Sequence, residues 1–304
     1  MKTILRTFVG CTAILFGTAC MGAVKYVPEN MKVELSLKVP GNNAVNYKLH
    51  PDKLENSYFD YEWRSDNKLP ITVFHKVEER DSCMRLTVQL TAAQDVYFNY
   101  RQLLSTGYRH DNCQFYMPGF WYRRNLRSPK KAPSFHTSDS WLVREDRLSA
   151  PLTGIFSEKE KRFMTVNRLD DFSMDALATH KEGEIILSGK TSLGFTGFEN
   201  QQGIAMLSFG FPYREAPKSY IRKLTLAPEV EAFQLMKKGE SVLLTWEIME
   251  SGADDFSDFI QHTWEHCYDT YVPKPVENSY SIADMKQVLS CFFVNSLVDN
   301  QPLV

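Results

Sequence analysis

At 304 residues the chain is long enough to bury a large core, as one big all-β domain or as two smaller ones, and 43% of it is apolar. Thirty-five basic against 37 acidic side chains leave a net charge of -2, which excludes the global basic field that draws proteins to nucleic acid. Aromatic residues reach 13%, a level that suits sheet packing and stacking surfaces alike.

The chain opens on MKTILRTFVGCTAILFGTACMGA, with Lys2 and Arg6 as a basic start, Phe8 to Phe16 as a short apolar core and small residues after it. That core is too short to span a bilayer as a permanent helix, so the stretch reads as an export signal. Cys20 follows small residues as the lipidated cysteine of a bacterial lipoprotein does, although Gly17 stands where leucine is usual. Lipidation at Cys20 is the first expectation, plain secretion the second and an uncleaved anchor the third. Each places the mature chain outside the cytoplasm, as an outer-membrane lipoprotein held by its lipid alone or free in the periplasm. Past Cys20 come Cys83, Cys113, Cys267 and Cys291, with no C-x-x-C spacing of the kind a zinc ribbon needs. An oxidising compartment permits a Cys83–Cys113 disulfide. Buried free thiols are the preferred reading, because a core of this size needs no staple.

From about residue 31 to 250 the pattern has period two. Lys32 to Val39 alternates strictly, with Val33, Leu35, Leu37 and Val39 on one face; RLTVQL and SVLLTWEI repeat the pattern with Leu86, Val88, Leu90 and with Val242, Leu244, Trp246, Ile248. Turn-forming residues separate these runs, as in VPGNN, KEGE and KKGE, and no convincing helix interrupts them. The spacing predicts a large antiparallel sandwich. SLGFTGFENQQG (residues 192 to 203) reads as a loop among those strands, and phosphate binding there is not expected.

The period changes after Gly252. Phe256, Phe259, Ile260, Trp264, Cys267, Tyr268 and Tyr271 recur at spacings of three and four, one broad apolar stripe on a helix of roughly five turns that Pro273 and Pro275 end. A second helix follows, opened by Ser281 and Asp284 in capping-box spacing, with Ile282, Met285, Val288, Leu289, Phe292 and Phe293 in need of a partner surface. The expected layout is a signal over 1–20, a β-sandwich over 21–250, a linking helix over 251–275 and, over 276–304, the first helix of a truncated helical domain.

Inside the first helix, HTWEH (residues 262 to 266) matches the H-x-x-E-H pattern of inverted zinc peptidases. A hydrolytic zinc needs a third protein ligand as well as an open position. The carboxylates that follow, Asp269, Glu277, Asp284 and Asp299, do not stand at a suitable distance on another complete helix. The spelling is therefore read as coincidence, and no metal and no cofactor are expected.

Residues 97 to 147 are the densest in chemistry. Arg101, Arg109, Arg123, Arg124, Arg127, Lys130 and Lys131 face Asp111 alone within Arg101 to Lys131, and Tyr108, Phe120, Trp121 and Tyr122 are interleaved with them. Aromatic faces beside guanidinium groups can stack on sugar rings while arginine pairs bidentately with carboxylates, which points to an acidic polysaccharide or oligosaccharide. The candidate substrate-binding residues are Trp121, Tyr122, Arg123, Arg124, His136, Trp141 and Arg144. The competing reading pairs these arginines with REDR (residues 144 to 147) and neighbouring acids at a domain interface and places the aromatics in the core. Glu145 and Asp146 are adjacent, and neighbouring carboxylates on a strand point to opposite faces, so they do not form an acid/base pair by themselves; a part for one of them in a site completed elsewhere is the lesser expectation. No complete catalytic constellation is present, so no catalytic residue is assigned.

MPGFWYRRNLRSP, SDSWLVREDRLSAPLTGIF and DDFSDFIQHTWEHCYDTYVPKP together resemble the N-terminal part of bacterial polysaccharide-degrading lipoproteins, in which a β-supersandwich leads through a linking helix into an (α/α)6 toroid. The best match is to glycoside hydrolases of this build that act on uronic-acid-containing glycans, the β-glucuronidase-like group in particular. The resemblance covers nearly all of the mature chain but only about the front third of such an enzyme. It implies that the catalytic carboxylates belong to a helical domain, so this chain is expected to be inactive alone. Two other expectations stand beside it: a self-sufficient glycan-binding lipoprotein, and part of a polysaccharide lyase of similar build.

Overall fold

The computed structural model describes residues 27–55, 57–80, 83–126, 134–170, 183–216, 218–219, 226–227, 229–272 and 281–296. The expected signal, Cys20 and the cations Arg127, Lys130 and Lys131 lie outside the described residues. The chain is mainly β, with a large antiparallel sheet and two helices near its C-terminal end.

The period-two runs become the strands they predict. β1 (Met31–Lys38) buries Val33 and Leu35 and turns Lys32 and Glu34 outward. It lies between β2 (Val45–Lys53) and β6 (Val96–Arg109), antiparallel to both. β6 continues into β14 (Ile204–Phe211), β13 (Phe195–Gln201) and β9 (Trp141–Arg144), completing one layer. The other layer runs through β3 (Tyr61–Arg64), β4 (Ile71–Glu79), β5 (Cys83–Ala92), β19 (Ser241–Gly252), β11 (Arg162–Arg168), β10 (Leu152–Ser157), β7 (Cys113–Met117) and β8 (Trp121–Arg123). β2 joins the layers: residues 45–49 pair with β1 and residues 50–53 with β3.

Leu86, Val88 and Leu90 of β5, with Trp246 and Ile248 of β19, share one core with Val33, Leu35, Phe98, Tyr100 and Phe209 of the opposite layer. Trp246 meets Phe209 at 5.3 Å between ring centroids. Each such side chain contributes about 1.5–3 kcal/mol when taken fully out of water. The four cysteines Cys83, Cys113, Cys267 and Cys291 are free thiols, the first three buried.

Residues 192 to 203 are not a loop. Phe195–Gln201 is a central strand, and it turns into β14 at Gln202 and Gly203, both with positive φ. Gly197 is required because the Trp141 carbonyl of β9 lies where a Cβ would stand. The glycines that resemble a loop are there for close strand packing.

A smaller core, formed by Ile185, Leu187, Leu193, Phe195, Tyr213, Val230 and Ala232, lies outside the first layer. Its strands are β12 (Gly183–Ile186), β15 (Arg214–Glu215) and β18 (Val230–Met236). Arg214 anchors it, donating from Nε to Asn99 at 2.9 Å and from Nη2 to Ser36 at 3.1 Å, and pairing with Glu231.

The first long helix, α1 (Phe256–Tyr271), is capped by Asp255, whose carboxylate accepts the backbone N–H groups of Ser257 at 2.7 Å and Asp258 at 3.0 Å. Phe259 is wholly buried against Phe156 and Phe163. It fits because residue 154 is glycine: a Cβ there would stand 2.5 Å from the Phe259 ring. The body of the protein ends at Gln261, and His262–Val304 forms a second compact unit. Within that unit α2 (Ile282–Ser296) begins with the expected capping box, Ser281 N–H to Asp284 at 2.9 Å and Asp284 N–H to Ser281 Oγ at 3.1 Å. No described helix is long and apolar enough to cross a membrane.

Candidate functional site

The aromatic and basic residues of the dense stretch separate into three environments. β7 and β8 form a tight hairpin closed by residues 118–120, and alternation along β8 decides what faces where. Trp121 points inward and is completely buried, its indole N–H donating to the Arg123 carbonyl at 2.9 Å and its ring edge-on to Phe198 at 5.0 Å. Trp141 on β9 is also buried, between Phe120 and Trp121. Neither indole offers a face to a sugar. Both belong to the sandwich core, which corrects the expectation of stacking at these two positions.

Tyr122 points outward. It is 52% exposed, with its hydroxyl accepting the Gly119 N–H at 3.2 Å. Arg123 is exposed too and has φ +55, with its guanidinium over the Phe256 ring at 5.1 Å. Its charge also helps hold the Asp255 carboxyl below the usual range, behind the backbone N–H bonds of Asp258 and Ser257. Arg124 turns the other way, donating to the carbonyls of Asp111 at 2.7 Å and Cys113 at 3.2 Å and covering Phe135 at 5.0 Å. His136 is exposed, edge-on to Phe135. Of the expected set, Tyr122 and Arg123, consecutive on β8, and His136 are the members left exposed.

Arg144 lies in the third environment and is buried. Its Nε and Nη2 hold Asp146 bidentately at 2.6 and 2.7 Å, and its guanidinium covers Tyr213. The next three residues form a 3-10 turn instead of continuing the strand, and this turn carries Glu145 inward. Glu145 accepts from Arg168 Nη1 at 2.7 Å and from the Gly194 N–H at 2.7 Å, while Arg168 Nε donates to Asp170 at 2.9 Å. Burial pushes the Glu145 carboxyl above its ordinary pKa, with Arg168 opposing the shift. A carboxylate paired this way inside the protein braces β9, β11 and the start of β13. It is not placed to donate a proton to a substrate.

The acid partners that the dense stretch lacks come from far along the chain. Arg101 pairs with Glu34 at 3.2 Å and with Glu199, and Arg147 with Glu215 at 2.5 Å. These separations carry no local sequence signal. In the second unit His262 and His266 stand one turn apart on α1 and are half-buried. Glu265 is exposed and shares an open cleft of about 450 Å³ with Trp264, Tyr268 and Asp269.

No family model matches the sequence. No curated protein matches it either. Among solved structures, the chain is similar to a polysaccharide lyase at 14% identity and a TM-score of 0.33, over 74% of this chain and 26% of that one. It is similar to a Synechocystis protein at 6% identity and a TM-score of 0.38, over 71% and 73% of the two chains. A GH36 α-galactosidase from Geobacillus stearothermophilus aligns at 10% identity and a TM-score of 0.33, over 72% and 30%. The chain therefore spans about a quarter of the lyase and under a third of the galactosidase. Scores this low establish neither a shared fold nor a shared activity.

Proposed function

We propose that this chain is the β-sandwich part of an exported carbohydrate-active enzyme, a glycoside hydrolase acting on uronic-acid-containing polysaccharide. In this reading its role is to support a helical catalytic domain and to contact the glycan. One observation carries the reading: α2 exposes Ile282, Val288, Phe292, Phe293 and Val294 at 62–72% each. A helix with so much uncovered apolar surface calls for a partner layer, and in the resembling enzymes that layer is the toroid. The sequence spells no complete catalytic constellation, and in this reading the chemistry belongs to the partner layer. Tyr122 and Arg123 supply the glycan contact, the ring stacking and the guanidinium meeting a uronate carboxylate. Lipid attachment through Cys20 would hold the protein at the outer membrane.

The test compares two proteins on glucuronoxylan and polygalacturonate: the 304-residue chain, and the product of the reading frame continued past codon 304. The chain alone should release no new reducing ends, and the continued product should release them. Hydrolysis by the chain alone, or a stop codon directly after Val304, would overturn the reading. A second reading, a glycan-binding protein sufficient in itself, is favoured by the exposed Tyr122–Arg123 pair. It requires calorimetric binding of a uronate oligosaccharide by the chain alone that Tyr122→Ala abolishes with the fold intact.

A further inference from the structure

We propose that His75 and Tyr100 form an acid-sensitive latch between the two sheet layers, and that its release opens the corner built by β2, β3 and β4. His75 stands on the inner face of β4, with none of its surface exposed. Its Nε2 is 2.7 Å from the Tyr100 hydroxyl on β6, in the opposite layer, and its ring lies 5.0 Å from Trp63 on β3. A neutral imidazole nitrogen can donate to the phenol or accept from it. An imidazolium can only donate, and it would bring a full charge into a dry core.

Among the described residues, the titratable groups near the site lie on β6, on β3 and in the turn before it. Tyr100 is the facing group on β6. On β3, Tyr61 stands directly across the ladder from His75. Asp60 donates its backbone N–H to the His75 carbonyl and gives its carboxylate to the Val77 N–H at 2.7 Å. Glu79 and Glu29 act on Tyr61, whose pKa burial, Asp60 and these two carboxylates raise. β5 contributes Leu86, Val88 and Leu90, all fully buried. Burial pushes the His75 pKa down from 6.5 to about 3. Between those two values an opened state takes up a proton that the closed state refuses. The stabilisation is complete above pH 6.5 and is lost as pH falls below it.

The corner is the part that can yield first. Leu49 alone is buried on β2, and β3 is four residues long. Releasing the latch frees Trp63 together with the short strand that carries it.

The experiment follows urea unfolding, and amide exchange of residues 61–64 corrected for intrinsic rate, from pH 7.5 to 4.5 in the wild type and in His75→Gln. Glutamine keeps a hydrogen-bonding side chain without a titrating group; where it does not fold, His75→Phe gives the same comparison. Below pH 6.5 the closed-to-open ratio of the wild type should fall, relative to the variant, by up to about tenfold per pH unit. Residues 61–64 should lose protection before β5 and β19 do. Parallel pH profiles for wild type and variant would overturn the latch. Simultaneous loss of protection in all strands would overturn the opening of the corner.

Discussion

Phenylalanine occupies opposite environments in the two parts of this molecule. Phe98 and Phe209 in the sandwich have no exposed surface, whereas Phe292 and Phe293 on α2 keep 62% and 65% of theirs. Both pairs lie in stretches with clear periodicity. Hydrophobic pattern therefore reports that a face must be covered, while the supply of a covering layer is a separate fact. In the sandwich the second layer comes from the same chain. On α2 no described residue is buried.

The largest effects should fall inside the body. Replacing Arg168 with Met leaves the Glu145 carboxylate buried without its cation, and loss of one partner of such a pair costs about 3–5 kcal/mol. Urea unfolding should show that loss at neutral pH and a smaller one in acid. With its pKa raised further, the carboxyl protonates as pH falls and the uncompensated charge disappears. Trp246→Ala should cost a similar amount, about 3–5 kcal/mol, through the cavity left against Phe209. Gly154→Ala comes next: the added methyl meets the Phe259 ring, and the overpacking should cost about 1–3 kcal/mol in the same measurement.

The smallest effects on stability should come from the exposed groups. Tyr122→Ala should change stability by no more than about 0.5 kcal/mol, as surface substitutions do, while weakening retention of uronate-containing glycan on affinity electrophoresis. Phe293→Ser on α2 should leave the urea midpoint unchanged and reduce binding of a hydrophobic dye. If that substitution cost as much as Trp246→Ala, the contrast between the two regions would be false.

Much of the fold was legible because alternation and helical spacing are local. Lys32 to Val39 predicts β1 within a residue, and Ser281 with Asp284 predicts the capping box at α2. The apolar stripe of α1 was legible only in part. Phe256, Phe259 and Cys267 are buried, but Trp264, Tyr268 and Tyr271 are 40–66% exposed, so what looked like one broad face is two. The candidate site was harder to read. Composition identified the stretch rich in arginine and aromatics, but alternation on an isolated three-residue strand gave no phase, so Trp121 and Tyr122 could not be told apart. The ion partners of Arg101 and Arg147 lie 67 to 98 residues away in sequence, and only the fold brings them together. Glu145 turns inward because a 3-10 turn replaces the end of a strand, a change that no residue in REDR announces.

The central proposal, that a helical layer covers the exposed apolar residues of α2, can be tested at Cys291. This thiol is exposed on α2, whereas Cys83 and Cys113 are buried, their pKa values pushed up to about 11 and about 12 chiefly by desolvation. The measurement is the rate of thiol labelling at Cys291, with Cys291→Ser as the blank, in the 304-residue chain and in the product of the continued reading frame. The account predicts labelling at the rate of a free surface thiol in the first and slowing of tenfold or more in the second. Equal rates in the two proteins, or a protected Cys291 in the 304-residue chain, would contradict it.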